Sequence, residues 1–484
     1  MGDEAVMGQG VVVPDWVIEE FGGRALGDRR REERVLEVVT RLAGRPGASL
    51  PAACGDLAAL KATYRLLDNA AISREALLAG HVAASWERMA GEPVVLAVQD
   101  TTDLDFSRHR ATQGLGRIGN GYGRGLYAHT TLAITPERLP LGLLGQQVWV
   151  RPLDQPVSRV SHKQRPIAQK ESRKWLDGLA LLAPAPALAP QTQVISVADR
   201  EADVYEVLVA PRPAGVELLI RAMQDRLTNV PRPVGEQPAR GPRVRFTLRG
   251  LLAHQPGTPQ VVAVPRRGAQ RPRTAQVLLR WGAVTLPGPA NRPAAQRISL
   301  TLFVVWAQEV NPPPGVEPLD WLLLTTLPVH TDADAQRIVA YYLCRWGIEV
   351  WHKVLKSGCA FEHRQLGCAA NLQRALSLYS VIAWWVLYAT LLARLTPDVP
   401  CTVLLELEEW QTLYCAIHQT TTPPATPPSL GQAVRWVAQL GGFLGRTGDG
   451  DPGPLLLWQG LGRLLAMTEM FHLFTASPRH QKSG

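Results

Sequence analysis

The sequence predicts an α/β protein with a β-rich insertion, a helical N-terminal module and a helical C-terminal region. Three observations carry this prediction. From Val94 onward, short apolar runs bounded by turn residues alternate with a helical pattern, as strands and helices do in α/β sheets. An Arg-rich stretch at about 224–318 then interrupts that alternation with segments split by Pro and Gly. Outside these regions, over 1–90 and 395–484, helical spacing and cap residues dominate. The expected units are therefore 1–90, 91–394 and 395–484, in line with a chain of 484 residues that can bury a sizeable core.

Taken in order, the N-terminal module offers Asp28 as the cap of a helix carrying Val35, Leu36, Val38, Val39 and Leu42, ending at a turn with Gly44, Pro46 and Gly47. Ser49, Asp56 and Ser73 offer further caps, and the last helix runs to Met89. Arg29, Arg30 and Arg31 fall in the first turn after Asp28, where each cation opposes the helix dipole by about 0.3–1 kcal/mol. An anion docked there reverses that cost. DNA phosphate is the natural candidate, since helix N-termini and Arg both bind it. A solvated face offset by Glu32 and Glu33 is the other reading.

The runs Val94–Val98, Leu126–Ile134, Leu141–Val150, Val194–Ala198 and Val216–Ile220 read as strands. A helical pattern from Lys170 to Leu182 precedes the fourth, joined to it by an Ala/Pro loop from Ala183 to Pro190. Within the insertion, Arg243–Leu248, Gln260–Val264, Thr274–Trp281 and Ile298–Trp306 alternate as strands do. Trp321–Thr326 resumes as a core strand, and Thr331 with Asp334 forms a capping box for a long helix reaching about Ser357. Ala375–Ala393 is free of charge and long enough to span a bilayer. Ser377, Tyr379, Ser380, Tyr388 and Thr390, with no Lys/Arg asymmetry at its ends, favour a buried core helix, so no membrane partner is expected. Val403–Trp410 reads as helical, and beyond a Thr/Pro linker from Gln419 to Pro428 "VRWVAQLGGFLGR" and "LLLWQGLGRL" keep helical apolar stripes.

Composition narrows the class of function. Hydrophobic residues at 46% and charged residues at 19% exclude wholesale disorder and a multi-span membrane protein. The formal charge is +9, and its excess sits in one place: from Gln224 to Val310 there are 13 Arg, no Lys and 3 acids. Guanidinium forks pair bidentately with phosphate, so the block suits a nucleic-acid partner; an Arg-biased solvated surface also accounts for it. The six cysteines lie apart without a CxxC pair, which argues for reduced thiols in a cytoplasmic setting. Cys359, His363 and Cys368 lack the fourth ligand a zinc site needs. The opening MGDEAVMGQG has no signal-peptide pattern.

The candidate chemistry lies at strand ends. Asp100 closes the first apolar run and Asp199 the fourth, where open α/β sheets place their ligands. Adjacent carboxylates repel unless hard cations fill the space between them, which points to Mg²⁺ or Mn²⁺; either Asp alone is as readily a turn or cap residue. On the long helix, Tyr342, Arg345, Glu349 and Lys356 fall within an arc of roughly 60° at 100° per residue. That face carries a phenol, an acid and two cations, or else a solvated Arg345–Glu349 pair. Asp103, Asp105 and Asp203 do not end the apolar runs and are left outside the triad, and His129 and His352 read as structural.

"QDTTDLDF" around Asp100, "VADREAD" around Asp199 and "YLCRWGIEVWHKVLKSG" from Tyr342 resemble the three signature regions of the insertion-sequence-four family of DDE transposases, relatives of the transposon-five transposase. The third follows that family's Tyr-x2-Arg-x3-Glu-x6-Lys pattern at each position. Further similarity covers "LGDRRREERV", "LKATYRLLDN", "VNPPPGVEPLDWLLLTTLPV" and "LGGFLGR" with "LLLWQGL", so it spans nearly the whole chain.

The resemblance implies an RNase H-like core, an N-terminal transposon-end-binding domain and a C-terminal dimerisation region. It implies that Asp100, Asp199 and Glu349 hold two divalent ions, Mg²⁺ with Mn²⁺ as substitute, for in-line attack at phosphorus. Tyr342, Arg345 and Lys356 would grip phosphates beside the cut, and Trp321 would stack on a base extruded while a hairpin forms; a core Trp is the alternative. The partners implied are double-stranded DNA, as transposon ends and target, and a second copy in the synaptic complex, with the protein at the nucleoid. A non-cleaving DNA-binding regulator or domesticated relative is the alternative function.

Overall fold

The computed structural model describes residues 13–23, 26–153, 165–233, 245–264, 272–290 and 297–476. The N-terminal module comprises α1 (Asp15–Phe21), α2 (Arg29–Gly44), α3 (Leu50–Cys54), α4 (Leu57–Asp68) and α5 (Arg74–Ala90). Local chemistry sets these starts: Asp28 accepts from the Arg30 N–H, Asp56 from Ala59 and Ser73 from Ala76. The apolar stripe of α2 buries Val35, Val38, Val39 and Leu42.

Twelve strands follow among the described residues: β1 (Val94–Asp105), β2 (Gly116–Ile118), β3 (Gly123–Ile134), β4 (Pro140–Trp149), β5 (Gln193–Ala198), β6 (Val216–Arg221), β7 (Leu227–Pro231), β8 (Arg245–Thr247), β9 (Thr258–Val264), β10 (Arg273–Leu286), β11 (Leu300–Glu309) and β12 (Asp320–Thr325). Ten of them form one mixed sheet ordered β2-β3-β1-β5-β6-β12-β11-β10-β9, with β4 added on β3. β1 runs antiparallel to β3 and parallel to β5, which is parallel to β6. Strands covered on both faces read as unbroken apolar runs, which is why Val95–Val98 and Val194–Ala198 are buried throughout.

The insertion differs from a separate β unit. β12 pairs antiparallel with β6, and β11, β10 and β9 continue the central sheet outward from it, while only β7 and β8 stand apart as a two-stranded ribbon. The apolar β12 satisfies the otherwise open edge of β6 and carries the later strands with it. Short helices α6 (Arg173–Ala180), α7 (Ala185–Leu188), α8 (Tyr205–Leu208) and α9 (Leu248–Leu252) line the sheet. The Ala/Pro stretch expected as a loop thus contains one helical turn, with Pro184 capping and Pro186 within the first turn, where its missing N–H is no loss.

The expected long helix is broken. α10 (Asp332–Cys344) starts at the Thr331–Asp334 capping box and stops at Arg345; α11 (Trp346–Lys353) resumes and runs into a π-helical turn, Val354–Gly358. α12 (Ala369–Leu395) is the uncharged helix, and 78% of its most apolar window is buried inside the protein. Ser380 is bonded within the core, its Oγ accepting from the Gln146 amide at 3.2 Å and its carbonyl from the Trp351 indole at 3.3 Å, whereas the Ser377 and Tyr379 hydroxyls are buried without a hydrogen-bond partner. α13 (Leu407–His418), α14 (Leu430–Leu440) and α15 (Pro454–Ala476) complete the chain. Gly441 and Gly460 let α14 and α15 touch, since a Cβ on Gly460 would stand 1.7 Å from the Val437 carbonyl oxygen.

Candidate active site

The parallel pairing of β1 with β5 stops at Val98 beside Val197, at the end of β5, but β1 continues to Asp105 against β3. Asp100 therefore lies within a strand and not at the strand end expected of it, and only Asp199 follows a strand end. Asp100 lies two residues beyond that pair on β1, and Asp199 follows β5 as the cap of a one-turn 3-10 helix. Each carboxylate accepts a backbone hydrogen bond, Asp100 from Thr101 at 2.9 Å and Asp199 from Glu201 at 2.8 Å. The third acid, Glu349, comes from the first turn of α11, where an N-terminal dipole favours an anion.

Arg345, at the break between α10 and α11, stands among these acids. Its guanidinium lies 4.0 Å from Asp100 and donates to Glu349 at 2.6 Å. It also counters the charge on Asp199 and sits over the Tyr342 ring, 5.9 Å from the centroid. Burial pushes the Asp100 carboxyl up to about 7; Arg345 and the Thr101 N–H pull the other way, while Asp199 and Glu349 add repulsion. Burial likewise raises Asp199, against the Glu201 N–H and Arg345. The cluster is therefore short of positive charge even with Arg345 in place.

Hard carboxylate oxygens in such a deficit are the donors Mg²⁺ and Mn²⁺ prefer, so Asp100, Asp199 and Glu349 fit a divalent ion by chemistry and by electrostatics. As they stand, no group of three or more His, Cys, Asp or Glu among the described residues closes into a metal cage. Arg345 stands between Asp100 and Glu349 and offsets part of their negative charge.

Tyr342 is buried beside Arg345, and burial raises its phenol. Trp321 on β12 packs edge-on against Tyr342 at 5.2 Å and Trp346 at 5.7 Å, 6% exposed, so it is a core ring in this conformation. Lys356 leaves the shared face: the π-helical turn adds backbone to the last turn and rotates the side chain toward β1, where it pairs with Asp103 and Glu362, each at 3.3 Å. Arg29 and Arg31 are held by Glu33 at 2.8 Å and Asp28 at 4.0 Å, whereas Arg30 is exposed at the start of α2.

The Arg-rich block is partly neutralised by acids brought to it through folding. Arg226 pairs with Asp203, Arg273 with Glu309, and Arg249 with Asp320 at 2.8 Å. Those three guanidinia serve the fold, and the phosphate reading of the block narrows to the others; Arg240, Arg243, Arg266, Arg267, Arg271 and Arg292 lie outside the described residues. Asp203 is fully buried and also accepts from the Met223 N–H at 2.7 Å. Asp203→Ala should therefore cost about 3–5 kcal/mol by stranding Arg226, read as a lower urea midpoint with unchanged m-value.

His129 is a structural residue, bonded to Thr101 Oγ1 at 2.9 Å and Gln99 at 3.1 Å, and burial lowers it to about 3. His352 departs from that expectation: its Nδ1 is 4.0 Å from Asp100 and its buried Nε2 has no hydrogen-bond partner. Two cations near the site escaped the sequence reading. Lys174 on α6 pairs with Glu201 at 3.4 Å and counters Asp199, and Arg221 on β6 counters Tyr342. Neither follows a motif; only the pairing of β5 with β6 and the packing of α6 bring them in.

Residues 14–72, covering α1 to α4, match the family described as Transposase DNA-binding. Residues 381–475, from the middle of α12 through α15, match the family described as Transposase Tn5 dimerisation domain. The two matches flank the carboxylate cluster in sequence, and together they support a Tn5-like transposase that binds DNA and forms dimers.

Proposed function

We propose that the chain is a cut-and-paste DNA transposase of the insertion-sequence-four type, which binds terminal inverted repeats as a dimer, cleaves donor DNA through a hairpin intermediate and joins the 3′-OH ends to target DNA. The observation that carries this reading is the convergence of Asp100, Asp199 and Glu349 on Arg345 where the parallel pairing of β1 and β5 stops, between segments that match transposase DNA-binding and dimerisation families. The strand order β4-β3-β1-β5-β6, antiparallel on one side of β1 and parallel on the other, supports an RNase H-like core within 91–394.

In this reading Asp100, Asp199 and Glu349 hold two Mg²⁺, which when bound supply an activated oxygen nucleophile and stabilise the leaving oxygen. The chain's own residues orient the DNA. Arg345 exchanges its carboxylates for a phosphate beside the cut, a swap its planar fork suits because both partners are bidentate oxyanions. Tyr342 holds Arg345 in place from below, Lys356 reaches a phosphate further along by leaving Asp103, and Lys174 takes the opposite side near Asp199. Trp321 receives the extruded base once the Tyr342–Trp346 cluster opens around it. Arg30, exposed at the start of α2, contacts end phosphate with Arg29 and Arg31.

A second reading, a DNA-binding dimer that occupies transposon ends without cutting, draws on the position of Arg345 among the three acids. Incubating the purified chain with a plasmid carrying its gene and flanks, with and without Mg²⁺ or Mn²⁺, separates the two. A metal-dependent excised fragment with hairpinned ends is the expected product. A stable protein–DNA complex with no cut under any metal would favour the second reading.

A further inference from the structure

At the end of β1 that follows Asp100, β2 and β3 form a hairpin whose tip belongs to neither the core nor the carboxylate cluster. Between Asp105 and Glu137 the chain carries Arg108, Arg110, Arg117 and Arg124 and no acid. Arg117 and Arg124 are direct partners across the hairpin. Like charges placed opposite one another destabilise a ribbon, and no carboxylate among the described residues pairs with either; Arg117 is exposed, while Arg124 is half-buried with its Nη2 donating to the Thr112 carbonyl at 3.5 Å. Beyond them Tyr122 is 91% exposed, the most exposed large hydrophobic side chain among the described residues.

The root of this hairpin is fixed while its tip is free. Gly116 and Gly125 admit no side chain, since a Cβ on either would lie 1.9 Å from a carbonyl oxygen, of Arg151 and Leu104 respectively. The Gly119 N–H donates to the Tyr127 hydroxyl at 2.8 Å, and Tyr127 is itself stacked on Trp149. Gly119 and Gly121 then turn the chain with φ of 56° and 97°, values that favour glycine. A rigid, acid-free ribbon with an unsupported aromatic at its end is built to meet an anionic surface.

We propose that the β2–β3 hairpin is a duplex-DNA contact, with Arg117 and Arg124 sharing a backbone phosphate and Tyr122 resting against the adjoining sugar. This rests on the DNA-processing reading of the carboxylate cluster. From Asp100 to Asp105 is about 17 Å along β1, so the hairpin lies within reach of a duplex held at the carboxylate cluster. An anion between the two guanidinia removes their repulsion and places a positive finger beside carboxylates that would otherwise repel the same DNA.

The test uses the full-length chain and fluorescence anisotropy across a salt series, with two probes: a duplex of the element's own terminal repeat, cut flush at its end, and a duplex of unrelated sequence. Arg117→Glu should weaken binding to the unrelated duplex on the order of ten-fold and flatten its salt slope by about one, and Tyr122→Ala should weaken it with the slope unchanged. Loss on the unrelated duplex alone assigns the hairpin to flanking or target DNA; loss on both assigns it to the transposon end as well. Unaltered melting temperatures and dimer content show that the variants fold. Variants that fold and bind both probes as the wild type does would overturn the proposal and leave the carboxylate reading standing. A wild type that binds neither duplex would overturn both. A variant that loses dimer content but not DNA affinity would give the hairpin to a second copy and overturn it too.

Discussion

Asp100→Asn should abolish strand cleavage, by on the order of a thousand-fold or more, while leaving end binding in place. The amide keeps the volume of the carboxyl and accepts the Thr101 N–H, so the fold of β1 is undisturbed. It loses the anionic oxygen on which the proposed chemistry depends. Asp199→Asn and Glu349→Gln should behave alike, because residues acting as one unit fail together. Gel assays of excision and mobility-shift assays of end binding, run on the same preparations, read the two halves separately. Cleavage retained in any of the three would remove that residue from the triad.

The same substitution should have an opposite effect on stability. The Asp100 carboxyl is raised from an ordinary 3.8 to about 7 in the folded chain, chiefly by burial. A raised carboxylate means that the folded state resists ionisation. The penalty is absent below about pH 4, grows as pH rises through the interval and is fully present above about pH 7. Asp100→Asn removes it, so the variant should be more stable than wild type at pH 8, by on the order of a few kcal/mol, and equal to it near pH 4. Thermal melts at the two pH values without divalent metal check this. An equal melting temperature at pH 8 would show that Arg345 already neutralises the site.

How much of this was legible in the sequence follows the range of the interactions. The caps at Asp28, Asp56, Ser73 and Thr331 act within three residues, and the helices begin where those residues stand. The runs ending near Asp100 and Asp199 were legible because strands buried on both faces leave an unbroken apolar record. The break at Arg345 was not, since Trp346 turns inward to Trp321, a partner on a distant strand. For the same reason Lys356 departs from the face it shares with Glu349 on an ideal helix: the π-helical turn is a product of packing. The Arg-rich block misleads most, because Arg226, Arg273 and Arg249 find acids 23, 36 and 71 residues away. No local window of sequence shows those pairings.

In the proposed reaction Asp100, Asp199 and Glu349 act together as one divalent-metal centre once Arg345 turns to DNA. Mn²⁺ binding to the dimer on a terminal-repeat duplex, followed by electron paramagnetic resonance, tests this joint role most directly. About two bound Mn²⁺ per chain are expected in the wild type, with binding weakened in Asp100→Asn, Asp199→Asn and Glu349→Gln alike. Equal Mn²⁺ binding by the wild type and all three variants, or none by any of them, would contradict it.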